Sequence, residues 1–203
     1  HFGELLLLLG PSGSGKTTLL TLLAGFLEPT SGMVRLSGTN LRELSLQALQ
    51  KLRAERMGFV FQTFHLIDAL TVVENITLVL GFAGWNKSDA RRRALEQLSE
   101  LRIEHLAPKF PRNLSHGEKQ RVAVARSVAN DADLILADEP TSSLESTQGF
   151  EIIQLLRKYA REENKCVIVA SHDLRLLDFA DKVIRLEDGC IIDRTGERTL
   201  LHP

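Results

Sequence analysis

The feature that most constrains this chain is a run of five leucines that leads into a turn rich in glycine and serine. The leucines occupy residues 5–9, a length typical of a strand buried on both faces of a sheet. The turn GPSGSGKT follows at residues 10–17, and leucines at helical spacing continue to about residue 26. A strand, a glycine turn and a helix in this order are the setting of a phosphate-binding loop.

The turn matches the spacing G-x-x-x-x-G-K-[ST], which holds nucleotide phosphates on backbone N–H groups. Glycines let these groups turn inward, and the following helix directs its positive end at the same anion. Lys16 is expected to place its charge on the β- and γ-phosphates, and Thr17 to offer its hydroxyl to Mg²⁺. The predicted nucleotide-binding residues are Gly10, Pro11, Ser12, Gly13, Ser14, Gly15, Lys16, Thr17 and Thr18.

A second apolar run, DLILAD at residues 133–138, ends in the neighbouring carboxylates Asp138 and Glu139. Two acids at a strand end could simply be solvated, and without other motifs that interpretation would prevail. Beside a phosphate loop, Asp138 is predicted to hold Mg²⁺ through water, and Glu139 to polarise the attacking water.

Two more polar residues follow predicted strands. His172 comes after the apolar run 167–170, at the strand end where ligands bind in open α/β sheets, and could bond the γ-phosphate or the attacking water. Gln62 ends the β-prone run GFVFQ, and its amide could reach Mg²⁺ or water. Either residue could also be an ordinary loop residue, so both predictions depend on the neighbouring motifs. The other five histidines have no metal-ligand spacing.

Strands alternate with helices at both ends of the chain, which predicts an α/β fold with a largely parallel sheet. The mostly helical stretch 72–104 is interpreted as an insertion. Helices are expected at 16–26, 45–55, 115–129 and 150–163. Strands are expected at 4–9, 33–37, 58–62, 133–138 and 167–170, with a hairpin of 183–186 and 190–193 around Asp188-Gly189.

The composition, 43% apolar and 25% charged with a net charge of −1, is ordinary for a soluble globular protein. It gives no indication of a nucleic-acid partner or a polybasic membrane anchor. Cys166 lies in an apolar run and reads as a buried thiol in a reducing compartment. No apolar run approaches the roughly 18–20 residues that span a bilayer, so a cytosolic chain is expected.

The motifs GPSGSGKTT, FVFQ, LSHGEKQRVAVARS, LILADEPTSSLES and ASHD occur in the order found in ABC-transporter nucleotide-binding subunits, which the chain resembles over essentially its whole length. The resemblance implies one P-loop NTPase domain, 1–203. Residues 1–62 and 133–203 would form its RecA-like core, and residues 63–132 an inserted helical subdomain. Family members carry strands and an adenine-stacking aromatic residue upstream of the phosphate loop. Phe2 is too close to Gly10 for that role, so both features are expected to be missing.

The resemblance also implies a head-to-tail dimer, a homodimer or a pair with another ATPase subunit, with two ATP molecules between the subunits. Gln62 would be the Q-loop glutamine and His172 the switch histidine. Ser115 and Gly117 would contact the γ-phosphate of ATP held by the partner subunit. Ser115 is also a predicted helix cap, and a hydroxyl, N–H groups and a helix dipole together favour an anion. One subunit alone is therefore expected to hydrolyse ATP poorly.

The implied function is ATP hydrolysis that powers a membrane exporter. The segments LRAERMGFVFQTFHLIDALTVVENI and LLDFADKVIRLEDGCI resemble heterocyst glycolipid exporter ATPases and their lipoprotein-release and macrolide-exporter relatives. Transmembrane permease subunits, and a periplasmic adaptor, would hold the chain at the inner face of the plasma membrane. The candidates for permease contact, each of which could instead be core, are Phe64, Leu66, Ile67, Leu70 and Trp85.

Two other functions remain open. One is an ATP-gated regulatory module on a membrane partner that moves no substrate. The other is a soluble ABC ATPase acting on ribosomes or DNA. The single cassette, and the absence of a heptad run between Lys16 and Ser115, favour transport over this last function.

Three residues depart from the family pattern. His116 stands where the signature usually has glycine, at a cost of about 1 kcal/mol if the backbone there needs a positive φ. Glu118 replaces a common glutamine, and Glu145 replaces the aspartate that commonly ends the D-loop. These changes are expected to affect rate and coupling rather than the fold.

Overall fold

A computed structural model describes residues 1–195 of the chain. The strands are β1 Leu5–Leu9, β2 Arg35–Leu36, β3 Thr39–Asn40, β4 Met57–Val60, β5 Leu134–Asp138, β6 Cys166–Ser171, β7 Lys182–Glu187 and β8 Cys190–Thr195. The α-helices are α1 Lys16–Leu23, α2 Leu46–Arg56, α3 Val72–Phe82, α4 Lys87–Glu100, α5 His116–Val128 and α6 Ser146–Arg161.

The main sheet has the strand order β4-β5-β6-β1-β7-β8, and β2 pairs with β3 in a separate small hairpin. Neighbouring strands from β4 to β7 are parallel, and β8 closes the edge antiparallel to β7. The predicted α/β fold with a largely parallel sheet is therefore confirmed. The strands β5, β6 and β1 are adjacent, so their carboxyl ends lie side by side at one edge.

Both faces of the sheet are covered by helices, which explains the unbroken leucine run of β1. Leu5, Leu7 and Leu9 point to the face covered by α5 and α6, in one core with Val124 and Ile153. Leu8 points to the opposite face, in a core that includes residues of α1.

The helices of the middle segment have a core of their own. Ile76 and Leu80 of α3 pack with Ala94 and Leu98 of α4 in a third buried cluster. Helix α5 contributes to two clusters, because Val122 lies in this one and Val124 lies in the sheet core.

Several boundaries differ from the expected ones, for local reasons. Helix α1 ends at Leu23 because Gly25 adopts φ 65°, outside the helical region. The helical stretch is divided by Gly84 at φ 86°, after which Asn86 caps α4. Strand β4 stops at Val60, so Gln62 does not end it. None of the helices within residues 1–195 has the length and apolar character needed to cross a membrane.

Candidate functional site

The glycine turn joins β1 to α1 in the conformation of an open anion cradle. Gly15 caps α1 at φ 97°, and no side chain bonds to the first N–H groups of the helix. These groups stay available to a ligand, and the helix dipole favours an anion there. Gly10 lies so close to β7 that a Cβ would come within 2.2 Å of the Leu186 carbonyl oxygen. The base of the loop therefore requires glycine.

Lys16 is held inside this loop with only 5% of its surface exposed. Its ammonium donates hydrogen bonds to the carbonyls of Gly10 at 2.8 Å and Pro11 at 2.9 Å. The same nitrogen lies 3.5 Å from Oε1 of Glu139. A buried lysine needs such partners because desolvating an unpaired charge is costly. The charge is thus fixed beside both the loop and the carboxylate that follows β5.

Thr17 and Asp138, which were both predicted to hold Mg²⁺, meet at the same edge of the sheet. The Thr17 hydroxyl donates a 2.8 Å hydrogen bond to Oδ2 of Asp138. Oδ1 of Asp138 is buried and accepts no hydrogen bond from any residue in the described range. Burial raises the pKa of Asp138, and the neighbouring Glu139 charge adds to this, against the opposing effects of Thr17 and Lys16.

A bound cation would stabilise the charged form of this partly buried carboxylate. A hydroxyl and a carboxylate supply oxygen donors, which suit Mg²⁺. Residues 1–195 contain no cluster of three or more His, Cys, Asp or Glu side chains arranged for a metal. Mg²⁺ is usually held by one or two protein groups together with substrate phosphates and water.

Glu139 is fixed by two side chains from the end of the neighbouring strand β6. Nδ1 of His172 lies 2.9 Å from its Oε1, and the Ser171 hydroxyl donates to its Oε2 at 3.3 Å. The Glu139 N–H donates to the Ala170 carbonyl at 2.9 Å. Its φ of 45° is uncommon outside glycine and concentrates at functional positions. The structure thus brings Glu139, Lys16 and His172 together and adds a contact from Ser171, to which the sequence assigned no role.

Gln62 is one of the predicted site residues that the structure does not bring into this cluster. It lies in a turn two residues beyond the end of β4, and its side chain is exposed. It forms no hydrogen bond with another residue of the described range. Strand β4 is nevertheless the neighbour of β5, so the turn begins beside the strand that carries Asp138.

Ser115 and Gly117 lie at the amino end of α5. Ser115 caps the helix by accepting a hydrogen bond from the Glu118 N–H, and Glu118 accepts one from the Ser115 N–H at 2.8 Å. No hydrogen bond among the described residues joins Ser115 or Gly117 to the phosphate loop. Gly117 packs against Gln148 of α6, whose Oε1 would lie 2.8 Å from a Cβ at that position.

The three departures from the family pattern all lie at the starts of helices. His116 is the first residue of α5 and is not among the residues with positive φ, so the condition for a strain cost there is not met. Glu118 completes the capping box, and the Ser115 N–H lowers the pKa of its carboxyl. Glu145 precedes α6 but makes no side-chain cap.

A groove of about 980 Å³ opens between α2, β4 and the end of α3. Phe59, Phe61 and Phe82 line it together with Arg53 and Arg126. Arg126 donates to the carbonyls of Phe64 and His65, and burial lowers its pKa to about 10. Of the proposed permease contacts, Ile67 and Trp85 are exposed, whereas Leu66 packs against the core of the middle helices. The sequence did not predict the charge of this groove.

Gln120 is a further buried polar residue that the motifs did not single out. It is fully buried on α5, and its Nε2 donates a 2.8 Å hydrogen bond to the carbonyl of Pro140. The only signal in the sequence is its spacing: it stands three positions after Gly117 and therefore on the same face of the helix.

Comparisons with known proteins agree with this geometry. The family model described as ABC transporter matches residues 1–142. A putative hemin import ATP-binding protein, HrtA of Staphylococcus aureus, is 44% identical over 191 residues, which cover 94% of this chain and 86% of HrtA.

The solved structures of MJ0796, a bacterial ABC transporter cassette, are 39% identical and superpose with a TM-score of 0.89 over 98% of this chain and 88% of theirs. One is described as dimeric, and another as a dimeric post-hydrolysis state bound to ADP and Pi. The cbiO1 structure from Clostridium perfringens, part of the cbiONQ transporter complex, is 29% identical with a TM-score of 0.85 over 96% of this chain and 78% of its own. The chain belongs to the ABC transporter family, as an ATP-binding subunit that hydrolyses ATP for transport.

Proposed function

We propose that this ABC ATPase powers export through a membrane transporter by closing head to tail with a second ATPase subunit around two ATP molecules. The observation that carries the proposal is the convergence of Lys16, Glu139 and His172 at the ends of three adjacent strands. A phosphate-binding charge and a held carboxylate in one place suit hydrolysis better than binding alone.

Each residue has a distinct proposed role. Lys16 and backbone N–H groups within residues 12–18 bind the phosphates of ATP, and Gly10 and Pro11 form the base of the same loop. Glu139 polarises the attacking water, while His172 holds the Glu139 carboxylate and bonds the γ-phosphate. Ser171 adds a second contact that fixes the carboxylate.

Mg²⁺ fits the oxygen donors of Thr17 and Asp138, and we propose Gln62 as a third ligand from the turn beyond β4. When bound, the ion would neutralise charge on the phosphates. The chain's own contribution is to hold a carboxylate whose buried Oδ1 has no donor within residues 1–195, so that a cation is favoured there.

The partner subunit would complete each site. Ser115 is exposed at the start of α5, and the helix dipole there favours an anion. We therefore assign Ser115 and Gly117 to the ATP of the partner subunit. The MJ0796 structures, which are described as dimeric, support a dimer of this chain by similarity.

Permease subunits would dock in the groove between α2, β4 and α3. Its aromatic lining suits an apolar helix face, and Arg53 and Arg126 suit an acidic residue on that helix. Residues 1–62 and 133–203 would act as the catalytic core and residues 63–132 as the helical subdomain that moves with the permease. The subunit would then lie on the cytoplasmic face of the membrane, with a periplasmic adaptor as a further partner of the exporter.

Import of hemin is the competing function, because the relative HrtA is named as a putative hemin import protein. A comparison of hemin levels in wild-type cells and in cells that lack this subunit distinguishes export from import. Hemin that accumulates faster in the mutant supports export of hemin, and hemin uptake that falls in the mutant supports import. Unchanged hemin levels together with loss of another exported compound would support export of a different substrate.

Glu139→Gln tests the mechanism. The amide removes water polarisation but keeps the shape of the site, so hydrolysis should fall by a factor on the order of 10²–10⁴. ATP binding should persist, and a stable dimer should appear on gel filtration with ATP and Mg²⁺. The exposed Glu187, changed to glutamine, is the matched control and should behave as wild type. A Glu139→Gln protein that stays monomeric and hydrolyses at the wild-type rate would refute the assignment.

A further inference from the structure

Gln120 holds an unusual position for a glutamine, since side chains of this type are mostly exposed. It is 0% exposed, and its Oε1 accepts no hydrogen bond from a residue in the described range. A buried amide with only part of its hydrogen bonding met is costly, and an apolar side chain would fill the space more cheaply. The hydrogen bond from Nε2 to the Pro140 carbonyl is the contact that accounts for a glutamine here.

Pro140 is the residue directly after Glu139. The Glu139 backbone is fixed on its other side, because its N–H bonds to Ala170 and its carbonyl accepts from Ser142. The proline ring fixes φ of Pro140, so a displacement of Pro140 passes to the peptide bond that joins it to Glu139. The hydrogen bond from Gln120 therefore holds the backbone one residue away from Glu139, the carboxylate proposed to polarise water.

The other end of the connection is the amino end of α5. Gly117 and Gln120 are three positions apart on one helical face, and both contact the segment that follows β5: Gly117 meets Gln148 and Gln120 meets Pro140. Ser115 and Gln120 are five residues apart, or about 7.5 Å along a helix. A shift of the amino end of α5 is therefore carried to Pro140 by a short, rigid element.

We propose that Gln120 is a positioning residue that couples the two ATP sites of the dimer. Engagement of the partner subunit's ATP by the amino end of α5 moves the helix, and the Gln120–Pro140 hydrogen bond transfers that movement to Glu139. The inference rests on the proposed head-to-tail dimer. It adds a route within one subunit by which the signature of one site sets the geometry of the carboxylate in the other.

Gln120→Met tests the role, because methionine has a similar length and no donor. Gln97→Met is the matched control. Gln97 is 1% exposed on α4, and its Nε2 bonds to Glu100 rather than to the site. ATP hydrolysis by the full-length chain is measured against ATP concentration for both variants, together with melting temperature.

Displacement of a reacting group by a fraction of an ångström lowers kcat strongly, so we expect Gln120→Met to lose about tenfold to a hundredfold in kcat. KM for ATP should stay within about twofold, because the phosphate loop is untouched. The Hill coefficient for ATP should fall toward one, since the two sites no longer communicate. Gln97→Met should keep the wild-type kcat and Hill coefficient.

Gln120→Glu is the second variant, which keeps the size and Oε1 of the side chain but replaces the donor with an acceptor. It should show the same selective loss of kcat and cooperativity. If either Gln120 variant folds and keeps the wild-type kcat and Hill coefficient, or if Gln97→Met loses as much, the coupling role is refuted while the proposed function stands. A wild-type chain that shows no ATP hydrolysis would instead overturn the proposed function.

Discussion

The glycine at position 117 gives a test that separates contact with the partner's ATP from ordinary packing. A Cβ added there would lie 2.8 Å from Oε1 and 3.1 Å from Cδ of Gln148. Both atoms are at the far end of an exposed, flexible side chain that can move away. The steric contact of Gly117→Ala should therefore lower the free energy of unfolding by less than about 1 kcal/mol. The higher helix propensity of alanine should raise it by about 0.5–1 kcal/mol.

The free energy of unfolding of Gly117→Ala should thus match wild type within about 1 kcal/mol, from denaturant titration. ATP-driven dimerisation should nevertheless be lost, because a methyl group at the start of α5 blocks close approach of the partner's ATP. The assay is gel filtration with ATP and Mg²⁺ in the Glu139→Gln background, where hydrolysis does not reopen the dimer.

Gly81→Ala is the control for this experiment. Gly81 is also a helical glycine, in α3, and a Cβ there would meet nothing within 4 Å. This change should stabilise the protein by about 0.5–1 kcal/mol and leave dimerisation intact. The reasoning fails if Gly117→Ala dimerises as readily as Gly81→Ala, or if Gly117→Ala unfolds several kcal/mol more easily.

Three more predictions follow from single contacts. The pKa of Asp138 is raised in the folded protein, so its negative charge destabilises the fold once the pH exceeds that pKa. Asp138→Asn should therefore raise the melting temperature of the nucleotide-free protein at pH 7, with a smaller gain at pH 4. The same change should abolish Mg²⁺-dependent hydrolysis. Glu145→Asp supplies the missing cap of α6 and should stabilise the fold by about 0.5–1 kcal/mol in thermal melts, whereas no gain would mean that the α6 terminus is already satisfied. Gly58→Ala would place a Cβ 1.8 Å from the Ser127 carbonyl oxygen and should destabilise by about 3 kcal/mol or more, and a stable Gly58→Ala protein would contradict this tight contact.

The strands and the phosphate loop could be predicted because their signals are local. The leucine run of β1 and the run 134–138 of β5 are apolar over a strand's length and end in residues with charges or glycine. Their order in the sheet is not local, and the chain order gives no direct indication that β6 lies between β5 and β1. That arrangement is what places His172 beside Glu139.

The end of β4 and the environment of Gln120 depend on contacts between residues far apart in the chain, which a local stretch of sequence does not show. Gln62 looked like a strand end, but β4 stops at Val60, where its pairing with Ala137 of β5 ends. His116 would have been strained only at a positive φ, and its position as the first residue of α5, after the predicted cap Ser115, gives it no such φ. The hydrogen bond from Gln120 to Pro140 joins residues 20 positions apart in different elements, so neither residue type nor spacing predicts it.

Because the site is assembled from distant segments, only a completely folded chain should bind nucleotide tightly. Thr17 and Asp138 are 121 positions apart, yet they share one hydrogen bond at the edge of the sheet. A chain in which β5 and β6 have not yet joined β1 has a glycine turn but no carboxylate beside it. Tight ATP binding therefore selects finished molecules, and at a concentration 100 times Kd it stabilises them by about 2.7 kcal/mol. The cellular ATP pool would then protect mature subunits from proteolysis while unfinished chains stay exposed to it.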